Sequence, residues 1–276
     1  MTHPAVGESI AFDDRIDPWR AAALHATLDL EGPPPEPGAP LPAFWHWVYF
    51  LEALPARRLG RDGHPAKGGD AFIPDLGLPR RMWAGGRLEF HEPLPIGADA
   101  VKTTTIEAIN EKSGRTGPLA FVTLRHEIRA AGRLCVTERQ DIVYREDPAP
   151  DAPTRPPEPA PSTESRSRSV TMGPTALFRY SALTFNGHRI HYDRDYARDV
   201  EGYAGLVVHG PLIAQLLLME AEAAAGAGAR TFTFRGASPA MDGETVALCV
   251  QLKDDSAAIW ARGGDGRLVM SGEVGF

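Results

Sequence analysis

The chain has 276 residues, with 29 Lys and Arg against 36 Asp and Glu, a formal net charge of −7 and 43% hydrophobic content. Domains most often span about 100–150 residues, so this length admits one large domain or two smaller ones, with enough apolar material for a sizeable core. The acidic balance excludes a general attraction to nucleic acid or anionic lipid, both of which reward a basic face.

The opening residues Met1-Thr-His-Pro-Ala-Val-Gly-Glu8 lack a basic region followed by an apolar stretch, so no signal peptide is expected. Pro18–Leu30 is helical by composition, Glu31–Pro42 reads as a proline-rich loop, and the aromatic run Phe44–Leu51 fits either strand or helix. Arg87-Leu-Glu-Phe90 then leads to Pro93-x-x-x-Gly97 and three strand-like runs, about Asp99–Asn110, Leu119–Ala130 and Arg133–Arg145. Turn signals at Lys112-Ser-Gly114 and Ala131-Gly132 separate them. Val122, Leu124 and Ile128 alternate with Thr123, Arg125 and Glu127, the pattern of a half-buried antiparallel strand. His126 shares the apolar face, where a hydrogen-bonded core histidine is the expected reading.

Seven prolines in Pro148–Pro161, followed by Ser162-Thr-Glu-Ser-Arg-Ser-Arg168, cannot bury enough apolar surface to order themselves. Beyond them the first pattern returns: Thr231-Phe-Thr-Phe234, Pro239-x-x-x-Gly243, and runs at about Thr245–Lys253, Ala257–Arg262 and Arg267–Val274. Asp254-Asp-Ser256 and Gly263-Gly-Asp-Gly266 mark the turns. The echo predicts two units, residues 8–146 and 169–276, joined by an exposed linker at 147–168, with their strands in one continuous antiparallel surface. Cys135 and Cys249 fall far apart in these strands, without disulfide or metal-ligand spacing, and read as small core residues in a reducing, cytoplasmic protein.

The stretch Gly202–Met219 is uncharged, yet it holds His209, Gly210, Pro211 and Gln215, which disfavours a membrane span. It predicts instead a helix opening at Pro211, apolar nearly all round and stopped by Gly226 and Gly228. Such a helix is buried, as one wrapped by a curved sheet would be. Just ahead of it lie Asn186, His188 and His191 in Leu183-Thr-Phe-Asn-Gly-His-Arg-Ile-His-Tyr-Asp193, and then His209-Gly210-Pro211. Helix N-termini offer unpaired N–H groups to developing negative charge, and neutral imidazole can take a proton near pH 7. Asn186-Gly187 alone is a strong turn dipeptide. Beside His191 and the helix start it reads as part of an enzyme site. His209 is expected to shape the helix entry rather than touch a substrate.

Other signatures are absent: no GxGxxG after a strand, no GxxxxGK[ST] and no GxSxG, so dinucleotide, P-loop and serine-hydrolase readings lack support. His188 and His191 stand at i and i+3 with no further ligand set that spacing alone picks out, so neither a metal nor another cofactor is expected.

Phe178-Arg-Tyr-Ser-Ala-Leu-Thr-Phe-Asn-Gly-His-Arg-Ile-His-Tyr-Asp193 with His209-Gly210, Phe44-Trp-His-Trp-Val-Tyr-Phe50 and Arg80-Arg-Met-Trp-Ala-Gly-Gly-Arg-Leu-Glu-Phe90 together resemble the MaoC-like hydratases and dehydratases. The wording is similar to their branch of hydroxyacyl-thioester dehydratase type 2 and mesaconyl-C4-CoA (3-methylfumaryl-CoA) hydratase. The resemblance spans nearly the whole chain. It implies an α+β double hotdog, each unit an antiparallel sheet around a central helix, with a degenerate first unit and a catalytic second one forming a pseudo-dimer within the chain. A homodimer stays open. The resemblance places His191 on the family's catalytic histidine and Gly210 on the glycine whose N–H polarises the thioester carbonyl. The family's catalytic aspartate falls on Asn186, which cannot accept a proton at neutral pH and would orient water or the thioester.

The activity implied is hydration of an α,β-unsaturated acyl-CoA, mesaconyl-C4-CoA to citramalyl-CoA. The alternatives are 3-hydroxyacyl-thioester dehydration on CoA or acyl carrier protein, a hotdog thioesterase, and a non-catalytic acyl-CoA-binding module. An acyl-CoA is polyanionic, so local arginines are expected to meet its phosphates, with Arg80, Arg81, Arg179 and Arg189 as candidates. Further substrate contacts are expected from His188, which is also a candidate helper in proton transfer, and from Trp83 in an aromatic acyl pocket. Arg189 either binds an anionic group of the substrate or pairs with Asp193.

Overall fold

The computed structural model describes residues 3–69, 71–114, 117–146 and 156–276. Its strands are β1 (Ser9–Arg15), β2 (Arg80–Phe90), β3 (Asp99–Gly114), β4 (Gly117–Ala130) and β5 (Arg133–Arg145), then β6 (Arg166–Thr171), β7 (Thr231–Gly236), β8 (Thr245–Leu252), β9 (Ser256–Arg262) and β10 (Leu268–Gly275). The helices are α1 (Pro18–Thr27), α2 (Pro174–Leu183) and α3 (Gly210–Ala225).

All ten strands form one antiparallel sheet in the order β1-β3-β4-β5-β2-β7-β10-β9-β8-β6. Each half therefore has the same internal order, its first strand beside its third, then the fourth, fifth and second. The halves join where β2 pairs with β7, from Gly85 opposite Arg235 to Glu89 opposite Thr231. The repeated Pro-x-x-x-Gly motif has the same cause in both: Gly97 and Gly243, at φ 91° and 76°, adopt the left-handed conformation that turns the chain into β3 and β8. Along β4 the expected alternation holds, with Val122, Leu124, His126 and Ile128 buried. His126 bonds Thr104 and Gln140, as a core histidine should.

Two boundaries differ from the sequence reading. Lys112-Ser-Gly114 lies in β3, which pairs with β4 out to Gly114 opposite Gly117, so it is strand rather than turn. β6 begins at Arg166, inside the stretch assigned to the linker, because Arg166 and Arg168 both reach the buried carboxylate of Glu220 at 2.8 and 2.7 Å. Residues 147–155 of that stretch lie outside the described residues, whereas Pro159 forms a bridge with Arg267.

α3 opens with proline in its first turn and ends at Gly226, φ 66°, while Leu212–Leu218 are all buried. Each buried Leu or Ile contributes about 1.5–3 kcal/mol, so packing against the curved sheet, rather than propensity, holds this helix. The first half lacks such a helix. Phe44–Phe50 takes core positions there instead, built on a short 3-10 turn at Trp45–Val48. Glu138 on β5 ties the turn down, accepting bonds from His46 Nε2 at 2.9 Å and Trp47 Nε1 at 3.1 Å. Cys135 and Cys249 are free and buried. Among the described residues, no helix is long and apolar enough to cross a membrane.

Candidate active site

A cavity of about 940 Å³ opens at the junction of the halves, large enough for a small organic ligand. Trp83 on β2 and the loop around Asp62 wall one side, and Asn186, His188, His191 and Gly210 wall the other.

The segment after α2 makes a tight turn. Phe185 takes a left-handed conformation at φ 49°, Asn186 N–H donates to the Ser181 carbonyl at 2.8 Å, and Asn186 Oδ1 accepts from His188 N–H at 3.0 Å. A phenylalanine held there is strained, and such strain gathers at functional sites. The turn falls at Thr184-Phe185, ahead of the expected Asn-Gly, and Asn186 borders the cavity. Gly187 is glycine for a close approach: a Cβ on it would lie 2.6 Å from the carbonyl oxygen of Gly63, and one on Gly63 would lie 2.0 Å from that of Gly187. Two loops from opposite halves thus meet backbone to backbone, and Arg189 N–H donates to the Asp62 carbonyl at 2.9 Å.

A 3-10 turn at Arg189–His191 then carries His191 to the cavity wall. Nδ1 of His191 lies 2.7 Å from the Val207 carbonyl oxygen. A carbonyl can only accept, so Nδ1 holds the proton and Nε2 keeps its lone pair. Burial, foremost, pulls the His191 pKa down to about 3 against the bond to Val207, with His188 adding a smaller push in the same direction. The ring is neutral at pH 7 and able to take a proton. His209 stacks on it, ring centroids 3.7 Å apart and planes 18° from parallel, and is anchored through Nε2 to Ser181 Oγ at 2.8 Å. Fully buried at the cap of α3, where the sequence placed it at the helix entry, His209 also holds the plane of His191 by stacking on it.

Gly210 is the first residue of α3, where the N–H has no partner within the helix. Trp83 presses on it: a Cβ at residue 210 would fall 2.6 Å from Trp83 Cε3. Only glycine leaves room there for a ligand oxygen to approach the N–H. Trp83 also stacks on Phe234, ring centroids 4.8 Å apart. Of the aromatic run Phe44–Phe50, Trp47 lines the cavity beside Trp83, whereas Phe44, Trp45, Val48 and Tyr49 are core.

His188 faces the cavity, its ring 5.5 Å from that of His191 and 4.5 Å from that of His64. Burial first, then the charges of Arg81 and Arg80, lower its pKa to about 4. Arg81 lies on the wall beside it. Arg189 does not line the cavity. It pairs with Asp193 at 2.7 Å and lies over the Tyr196 ring, its guanidinium carbon 4.1 Å from the centroid, which favours the pairing alternative over substrate contact. Arg179 is exposed on α2, away from the wall, and Arg80 is paired with Glu201 at 2.9 Å.

Asp62 and His64 were not singled out in the sequence. They come from a loop of the first half, and only the fold sets them against His188, with one ligand-type atom of each of the three within 4.8 Å of the others. The donor set could suit a metal ion, but the guanidinium of Arg81 bears on both histidines and opposes a second cation there. The signal that could have found this loop is Asp62-Gly-His64 itself, a turn carrying two ionisable groups.

Residues 44–242 match the family described as hydroxyacyl-thioester dehydratase type 2. The chain belongs to the hydroxyacyl-thioester dehydratase type 2 family. It is 45% identical to the mesaconyl-C(4)-CoA hydratase of Chloroflexus aurantiacus over 98% of this chain and 95% of that protein. It is 29% identical to the mitochondrial hydroxyacyl-thioester dehydratase type 2 of Schizosaccharomyces pombe, over 75% and 76% of the two chains. Among solved structures it resembles HtdX of Mycobacterium tuberculosis, with a TM-score of 0.68 at 16% identity over 98% of this chain and all of that one. A second protein of that organism, described as a double hotdog fold, aligns with a TM-score of 0.57 at 14% identity over 98% and 95%. These structural likenesses establish the α+β double hotdog, a pseudo-dimer within one chain.

Proposed function

We propose that this family member is a hydro-lyase that adds water to an α,β-unsaturated acyl-CoA, with mesaconyl-C4-CoA (3-methylfumaryl-CoA) converted to citramalyl-CoA. The observation that carries the reading is the pairing of a neutral, immobilised His191 with the free N–H of Gly210 on one cavity wall. The substrate class is taken from the 45% identical relative.

Water between His191 and the substrate gives a proton to Nε2 as its oxygen bonds to Cβ. The electron pair of the double bond moves toward the thioester, whose oxygen gains negative charge at the Gly210 N–H and the positive end of α3. Cα then takes a proton from the His191 imidazolium, which restores the neutral ring. Asn186 cannot repeat the family aspartate's proton transfer, so one histidine serves both steps. Burial that disfavours the imidazolium makes it a strong acid toward Cα and a weak base toward water, so the Gly210 N–H and the positive end of α3 must draw negative charge onto the thioester as the proton moves. Asn186 and His188 position water and the acyl group, and Trp83 packs against Gly210 at the oxyanion end. The two isolated, buried cysteines fit a cytoplasmic setting.

The same groups run in reverse on a 3-hydroxyacyl thioester of CoA or acyl carrier protein, which the family membership favours as the second reading. Incubation with a panel of unsaturated acyl-CoAs tests the proposal. A hydroxyacyl-CoA product is expected; free CoA would instead indicate a thioesterase, and binding without turnover a carrier module.

A further inference from the structure

In a protein of net charge −7, the cavity wall is basic. Among its described residues five basic side chains, Arg61, Lys67, Arg80, Arg81 and Arg145, face two acidic ones, Asp62 and Glu201. All five cations come from the first half. Several have work within the protein: Arg80 pairs with Glu201 at 2.9 Å, and Lys67 donates to the carbonyls of Leu78 and Pro79. Arg81 and Arg145 have no carboxylate partner among the described residues, and of the two only Arg81, bonded to the Tyr144 hydroxyl, bears electrostatically on His64 and His188. The nearby acid, Asp62, has Oδ1 engaged by the His64 N–H at 3.1 Å and shares the field of Lys67.

The position of this cation limits which anion it can meet. Arg81 and Trp83 are alternate residues on β2, so their side chains leave the same face of the strand, roughly 7 Å apart along it at about 3.3–3.4 Å per residue. Trp83 marks the oxyanion end of the cavity through its contact with Gly210. Arg81 marks the His188 end, and the His188 ring is 5.5 Å from that of His191. Its guanidinium therefore belongs to the reacting end of the cavity. The phosphates of a CoA thioester lie at the far end of the pantetheine arm. In an enoyl thioester whose Cβ carries a carboxylate, that carboxylate sits on the very carbon that His191-activated water attacks.

We infer that Arg81, supplied by the non-catalytic half, is the specificity residue that binds a free carboxylate on Cβ of the acyl group, and so selects C4-dicarboxylic over simple enoyl thioesters. The inference rests on the hydratase reading above. Its fork geometry suits a planar carboxylate, and His64 and His188, neutral beside it, can offer further N–H donors. Binding the carboxylate next to Cβ also fixes which carbon meets the water.

The test compares hydration of a C4-dicarboxylic enoyl-CoA with that of crotonyl-CoA, which shares every CoA phosphate and lacks the carboxylate. Arg81→Gln should lower kcat/KM for the dicarboxylic substrate by about 10–100-fold, mostly through KM, and leave that for crotonyl-CoA within about threefold. Equal losses on both would assign Arg81 to CoA or to the fold and overturn the inference, as would no loss on either. Arg81→Lys guards against misfolding: it keeps the charge without the fork and should fall between wild type and Arg81→Gln on the dicarboxylic substrate alone. Should the wild-type protein hydrate neither thioester, the functional reading itself would fail; should it hydrate both with the ratio insensitive to residue 81, only this inference fails.

Discussion

The N-terminal and C-terminal halves have the same strand order, yet only the second wraps a long helix. In the second half α3 fills the curve of the sheet and presents the N–H of Gly210, while the preceding loop presents His191. In the first half the equivalent volume holds Phe44–Phe50 around a short 3-10 turn, anchored by Glu138, and the chain then loops out to bring Asp62 and His64 against the catalytic segment. The loop of the first half around Asp62 and His64 walls the cavity opposite His191 and Gly210. The sheet architecture tolerates the exchange of helix for turn because each half keeps the strand it offers to the joint, β2 or β7.

The comparison breaks most sharply at His191. If chemistry belongs to the second half alone, His191→Ala should lower kcat by about 10²–10⁴-fold, the usual contribution of general acid–base catalysis, while binding of a saturated acyl-CoA persists by calorimetry. Near-full turnover in this variant would show that the motif is a structural turn.

Gly210→Ala probes the seam. Its Cβ would fall 2.6 Å from Trp83 Cε3, so thermal melts should show a loss of about 1–3 kcal/mol, as overpacked sites do, together with reduced kcat. Adding Trp83→Ala should recover part of the stability, since the two residues are in contact across the halves. Strict additivity of the two changes would mean that the seam does not couple them.

Both halves bury histidines whose charged form the fold disfavours: His126 in the first, with a pKa lowered to about 4, and His188 and His191 in the second, lowered to about 4 and about 3. Burial is the leading cause in each. Below pH 6.5 the unfolded chain binds protons that the folded chain refuses, so stability is greatest above 6.5 and falls as pH drops toward 4. The slope is up to about 1.4 kcal/mol per pH unit for each histidine. Denaturant titrations between pH 7 and 5 measure it, and a flat profile would contradict the buried, neutral assignment.

Much of this was legible in the sequence, because strands with period-two burial, the Pro-x-x-x-Gly turns and a proline-opened, glycine-closed apolar helix are all local signals. His191, Gly210 and Asn186 were legible as well, since they lie close together along one stretch of chain. Asp62, His64 and the place of Arg81 beside His188 were not recognisable in this way, because they depend on a loop of one half docking at Gly187 of the other. Arg189 stood open between a ligand anion and Asp193, and only the fold shows it paired with Asp193, four residues on.

The smallest effect is expected at Asn186. Its Oδ1 only accepts a bond from the His188 N–H, which an aspartate oxygen can also do, so Asn186→Asp should leave the melting temperature nearly unchanged and crotonyl-CoA turnover within a few-fold. The added charge should raise KM for a dicarboxylic acyl-CoA and so move selectivity in the same direction as loss of Arg81. Unaltered selectivity would place the substrate carboxylate away from this turn.

The most direct test of the division of labour is a crystal structure of the His191→Ala protein with a C4-dicarboxylic enoyl-CoA bound. The thioester oxygen is expected at the Gly210 N–H, with Cβ facing the space vacated by the imidazole and the free carboxylate on Arg81. An acyl group lodged against residues of one half alone, with its carboxylate in solvent, would contradict it.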